Sequence, residues 1–109
     1  MSEPITITTN KKQYIYLIKE REFIACNENV YRIGISTSKN LSIIGYKYRS
    51  SETIFKSECI NYREIISKIV ALFNNKYIRR RDFGTRYYQG DSLEMKEDII
   101  NILRLSSSV

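Results

Sequence analysis

The 109-residue chain contains no histidine, one proline, four glycines and two cysteines. Each shortage excludes something. Without histidine there is no imidazole general base, no Ser-His or Cys-His nucleophile pair and no His-ligated metal site. Any catalysis would have to rest on carboxylates, Tyr, Lys or Arg. So little proline and glycine argues against disorder or low complexity. No apolar run approaches the roughly 20 residues that a membrane span needs. The opening residues, MSEPITIT, lack the basic stretch followed by an apolar one that marks an export signal. The expectation is a soluble protein of the cytoplasm or nucleus, not secreted and not membrane-bound. Cys26 and Cys59 are then expected as packed free thiols in a reducing compartment.

What is present suits one folded domain. Hydrophobic residues make up 42% and aromatics 12% of the chain, enough to bury a core at this length. The net charge is +6 and is unevenly spread. Residues 74–90 hold Lys76, Arg79, Arg80, Arg81 and Arg86 against Asp82 alone, whereas residues 91–109 are net acidic. Cations at that density point to a polyanion partner; the alternative is a solvated loop partly paired to Asp82. Tyr77, Tyr87 and Tyr88 interleave with these cations. They suit stacking on bases or riboses, or packing.

The order of elements follows from periodicity. Residues 1–12 read as a polar arm, with an edge strand at Ile5–Thr8. QYIYLIKE (13–20) is a β-branched and aromatic run long enough for a strand buried on both faces. Asn27-Glu28-Asn29 is a turn signal, and VYRIGIS (30–36) is a second strand. Gly34 inside it marks a bulge or a close approach by another group. Ser36, Thr37 and Ser38 can cap a short helix over 39–48 that Gly45 ends. SETIFKSE (51–58) is a third strand.

NYREIISKIVALF (61–73) is helical. Asn61 and Glu64 are spaced as a capping box, and Tyr62, Ile66, Ile69, Val70 and Phe73 form one apolar stripe. Residues 74–91 read as a basic loop. SLEMKEDIINILRL (92–105) is the last helix, with Asp91 and Glu94 as its capping box and Leu93, Met95, Ile99, Ile100 and Leu103 as apolar positions. Residues 106–109 should fray. The fold class expected is α+β: a small three-stranded antiparallel or mixed sheet flanked by helices, one domain over residues 13–105.

YIYLIKE followed by YRIGIST resembles the paired motifs of the GIY-YIG endonuclease superfamily. The closer likeness is to the branch found in large DNA viruses and phages. It continues through LFNNKYIRRRDFGTRYYQGD and spans residues 13–103. The resemblance implies a three-stranded antiparallel sheet with flanking helices, a viral origin and phosphodiester hydrolysis. In that chemistry a Tyr helps activate water, an Arg on the first helix stabilises the phosphate, and a Glu on the second helix holds one divalent metal as Lewis acid and template.

Carried over by position, Tyr16 matches the first-motif tyrosine. Arg32-Ile33-Gly34 matches the second motif, with Tyr31 just before it. The arginine position falls on Ser42 or Ile43, near Lys39, Lys47 and Arg49. The glutamate position falls on Ile66, which offers no oxygen to a hard metal. Glu64 sits about 200° away around the helix. In the late loop, Thr85 and Arg86 stand where the family tends to have Asn or Glu. Loss of such charge stabilisation costs about 3–4 kcal/mol per group, so the catalytic positions read as degenerate, with no metal and no cofactor.

Three functions follow. The first is a catalytically degenerate GIY-YIG-like domain that binds nucleic acid, DNA first, through Lys76, Tyr77, Arg79, Arg80, Arg81, Arg86, Tyr87 and Tyr88. The second is a module for a protein partner, a viral factor acting on host proteins. The third is an active nuclease whose metal is held by relocated carboxylates among Glu52, Glu58, Glu64 and Glu94.

Overall fold

The computed structural model describes residues 13–37 and 51–107. The arm over 1–12, the helix over 39–48 and the positions Ser42 and Ile43 lie outside the described residues. Gln13–Lys19 forms β1. Side chains of a strand alternate between faces, yet Ile15, Tyr16, Leu17 and Ile18 are all buried. Both faces are therefore covered, as the unbroken run YIYLI implies. β2 (Val30–Ser36) and β3 (Glu52–Cys59) flank it, both antiparallel.

The connection from β1 to β2, where the sequence shows only the turn signal at Asn27-Glu28-Asn29, is more ordered than a plain loop. It holds a five-residue helix, α1 (Arg21–Ala25). Phe23 supplies the reason: buried under Val30 and Tyr87, it draws the segment onto the sheet. The turn signal falls where the chain leaves this helix, with Asn27 at φ 57°, a left-handed conformation that Asn tolerates better than most residues.

The sheet also exceeds the three strands expected. Two short strands lie inside the segment read as a basic loop, β4 (Ile78–Arg79) and β5 (Tyr87–Gln89). β5 pairs with the open edge of β2, and β4 pairs with β5. The result is a five-stranded antiparallel sheet in the order β3-β1-β2-β5-β4. The class is α+β, with no parallel pair among the described residues.

Two helices cover one face. α2 (Tyr62–Lys76) buries Ile65, Ile66, Ile69 and Phe73; of the expected stripe, Tyr62 and Val70 are only partly buried at its margin, and Ile65 joins it. α3 (Ser92–Ser107) buries Met95 and Ile99 and packs Ile102 and Leu103 against the same core. It continues through Ser106 and Ser107, where fraying was expected. Leu93 corrects the expected apolar set: it is 69% exposed. It lies two residues, about 200°, around the helix from Met95, so both cannot share a stripe. No helix among the described residues is long and apolar enough to cross a membrane.

Of the two expected capping boxes, the one at Asp91 is half-made and the one at Asn61 is not made. Asp91 Oδ1 accepts the Leu93 amide at 3.0 Å, but Glu94 turns to Lys76 instead of back to the cap. Asn61 makes no side-chain cap, and Glu64 pairs with Lys68 one turn on. Both cysteines are free: Cys59 is packed as expected, but Cys26, also expected packed, is exposed where the chain leaves α1.

Candidate nucleic-acid interface

β4 and β5 with residues 80–86 between them form a hairpin at the sheet edge opposite β3. Its turn closes through the Phe83 amide on the Arg80 carbonyl (3.2 Å), and the Arg80 amide bonds the Tyr87 carbonyl (2.9 Å). Gly84 has φ 154°, and a Cβ there would lie 2.7 Å from the Tyr87 ring. Glycine is required on both counts.

The strand pleat sorts the arginines. Arg80 shares a face with Gln89. Its guanidinium donates to Asp82 from Nε (3.1 Å) and Nη2 (2.8 Å) and to Gln89 Oε1 from Nη1 (2.8 Å). It also covers the Phe83 ring at 4.6 Å. Asp82 is held below the ordinary carboxylate range by that guanidinium. Arg80 is thus a structural cation that braces the hairpin.

Arg79 and Arg86 lie on the other face. Arg79 is the register partner of Tyr88. Arg86 is two residues before Tyr88, with its carbonyl accepting the Ile33 amide at 3.0 Å. Paired residues share a face, which sets Arg79 beside Tyr88; Arg86, in the turn just before β5, carries the ladder on through its bond to Ile33, a residue of the helix-side core, so both arginines are rooted on the helix side. Tyr88 is fully buried, edge-on to Phe73 at 5.3 Å. Its hydroxyl donates to Asn74 Oδ1 at 2.7 Å. Burial pushes that hydroxyl up, and the charges of Arg79 and Arg86 pull it partly back. Arg81 is exposed at the turn. Arg79, Arg81 and Arg86 have no ion pair among the described residues.

Other members of the expected binding set have structural work instead. Lys76 Nζ lies 3.0 Å from Asp98 and 3.1 Å from Glu94, and Tyr77 donates to Asp98 at 2.6 Å. These contacts tie the end of α2 to α3. Tyr87 is 5% exposed and Tyr88 fully buried. Neither ring presents a face to a base, and packing accounts for all three loop tyrosines.

The motif positions divide between faces. Tyr16 and Gly34 are register partners, and a Cβ on Gly34 would fall onto the Tyr16 ring. This is the close approach that a glycine inside β2 implied. Arg32 lies on their side, and Tyr31 points into the helix-side core. Ile66 is 7% exposed in that same core.

Sequence reasoning missed Glu20. Only 2% exposed, it accepts the Tyr87 hydroxyl on both oxygens at 2.9 and 3.0 Å and lies 3.4 Å from Arg32 Nη1. A glutamate after an apolar strand carries no local sign of a partner 67 residues away. Asn74 was also missed, as was Lys19, whose ammonium lies 5.8 Å from the Tyr31 ring centroid.

No group of three or more His, Cys, Asp or Glu that could hold a metal ion occurs among the described residues. Of the carboxylates considered as relocated ligands, Glu64 pairs with Lys68 and Glu94 with Lys76. A mostly apolar groove of about 660 Å³ runs between β3 and α3, lined by Phe55, Cys59, Ile65, Ile100 and Leu103. It lies across the sheet from the basic hairpin. No family model matches the chain, and neither a curated protein nor a solved structure matches it.

Proposed function

We propose that this chain is a nucleic-acid-binding domain that grips phosphates through the β4–β5 hairpin, and that its GIY-YIG-like motifs lack the charged groups for hydrolysis. One observation carries the binding reading: Arg79, Arg81 and Arg86 stand on one braced hairpin without an ion pair among the described residues. Their charge is spent on nothing the described residues supply. The second part rests on Ile66 and on the resemblance. An isoleucine sits where the likeness calls for a metal-binding glutamate, and it belongs to the core.

Because Tyr77, Tyr87 and Tyr88 are used in packing, the contact is to backbone phosphates and is indifferent to base sequence. Three phosphate contacts give log K against log salt a slope of about −2.7 on duplex DNA and about −2.1 on single strands. The test is an anisotropy titration with labelled duplexes of two unrelated sequences at several salt concentrations, with and without Mg²⁺. Equal affinities and that slope support the reading, as does its loss in R79A/R81A/R86A. No binding at about 50 mM salt overturns it. Mg²⁺-dependent cleavage that survives repurification would overturn the non-catalytic part.

A further inference from the structure

We propose that Arg79, Arg86 and Asn74 form a discrete site for one phosphate group on the helix side of the hairpin, with Tyr88 as its positioning residue. The proposal rests on the nucleic-acid reading only for where the phosphate comes from.

Three features converge at this point. Arg79 faces Tyr88 across the strand pair, and Arg86 lies in the turn just before β5 with its carbonyl on the Ile33 amide. The two arginines are diagonal neighbours, about 7–8 Å apart at their roots, within the reach of two guanidinium forks that meet on one tetrahedral anion. Asn74, exposed in the last turn of α2, brings a neutral donor to the same place. The Tyr88 hydroxyl holds its Oδ1 at 2.7 Å, which turns Nδ2 the other way with no hydrogen bond among the described residues. Among the described residues no carboxylate pairs with Arg79 or Arg86; Asp82 is bound to Arg80, and Glu94 and Asp98 to Lys76.

The tyrosine explains why such a site would be rigid. Its ring is locked in the core against Phe73, so its hydroxyl is a fixed point on which the Asn74 amide is hung. A preoriented donor spares the ordering cost that a free surface amide pays on binding.

The full chain is titrated with inorganic tripolyphosphate, then with the labelled duplex, while the Asn74 side-chain amide signals are followed by NMR. Asn74→Asp keeps an acceptor for Tyr88 but loses the Nδ2 donor and adds a negative charge. N74D and R86A are each expected to weaken tripolyphosphate about tenfold or more, the worth of one hydrogen bond to a charged group, whereas R63A, an exposed cation at the far end of α2 from Asn74, leaves it within about twofold. In wild type the Asn74 amide signals should move on titration. Y88F should weaken binding, and N74A/Y88F should bind no worse than N74A, because both act through one amide.

Wild-type affinity in N74D, or an equal loss in R63A, overturns the site. Duplex binding with the expected salt slope but no response to N74D or Y88F also overturns it, and leaves the nucleic-acid reading standing. Tripolyphosphate binding with the expected variant pattern, but no duplex binding, upholds the site and overturns the nucleic-acid reading. The phosphate would then belong to a small phosphorylated ligand.

Discussion

The Tyr87 hydroxyl is held between both oxygens of the Glu20 carboxylate, at 2.9 and 3.0 Å, with the carboxylate only 2% exposed. A strand of the basic hairpin is thereby bolted to the end of β1. Removing the donor leaves a buried carboxylate with one partner fewer. Tyr87→Phe is expected to cost about 1.5–3 kcal/mol, the range for a hydrogen bond to a charged group. Urea unfolding monitored by circular dichroism would measure it. A cost below about 0.5 kcal/mol would mean that this bond does not hold the hairpin.

Gly34 and Tyr16 should be coupled. A methyl group at position 34 meets the Tyr16 ring, so Gly34→Ala is expected to destabilise by about 1–3 kcal/mol, as overpacking does. The same change should cost less in a Tyr16→Leu background. Equal costs in the two backgrounds would show that the ring is not what demands glycine.

High pH should loosen the joint between α2 and α3. The Lys76 ammonium is pushed above its ordinary 10.5, chiefly by its hydrogen bond to Asp98. The Tyr77 hydroxyl is pushed above its ordinary 10.0, first by burial and then by Asp98. Both groups hold a proton more tightly when folded. Their contribution is therefore complete below about pH 10 and is lost as pH climbs through the raised folded values. Urea midpoints taken from about pH 8 to about pH 11 should be level and then fall. Tyr77→Phe should make the fall shallower, and an unchanged profile would remove Tyr77 from the explanation.

The two thiols should react unequally. Burial pushes the Cys59 thiol up, which keeps it from forming the reactive thiolate, and Cys26 is exposed. An aromatic disulfide reagent added to the native chain should titrate one thiol at once and the second only in denaturant. Rapid reaction of both would mean that the end of β3 opens readily.

The parts legible in the sequence are those whose signal is local and repeated. β1 shows itself by an unbroken β-branched and aromatic run, and α2 by about three turns of apolar spacing, with Ile66 visibly inside the stripe. Gly34 could be read as a close approach because a glycine inside a strand has few other reasons. The charge of residues 74–90 is legible by counting, and so is the exclusion of imidazole chemistry.

Tertiary structure decided the rest. β4 and β5, at two and three residues, are too short to show a period, and they are strands only because β2 offers an open edge. α1 exists because Phe23 finds Val30 and Tyr87. The sequence showed five cations and three tyrosines in a row, but not which of them are free. Asp98 and Glu94 claim Lys76, Asp82 and Gln89 claim Arg80, and Glu20 and Asn74 claim the tyrosine hydroxyls. Asp82 apart, these partners lie 9 to 67 residues away in the chain, and no local pattern announces them. The pairing of β4 with β5 and the bond from Ile33 to Arg86 put Arg79 and Arg86 on one side and Arg80 on the other. Composition therefore fixed the sign of the surface, whereas folding chose the three arginines left to carry it.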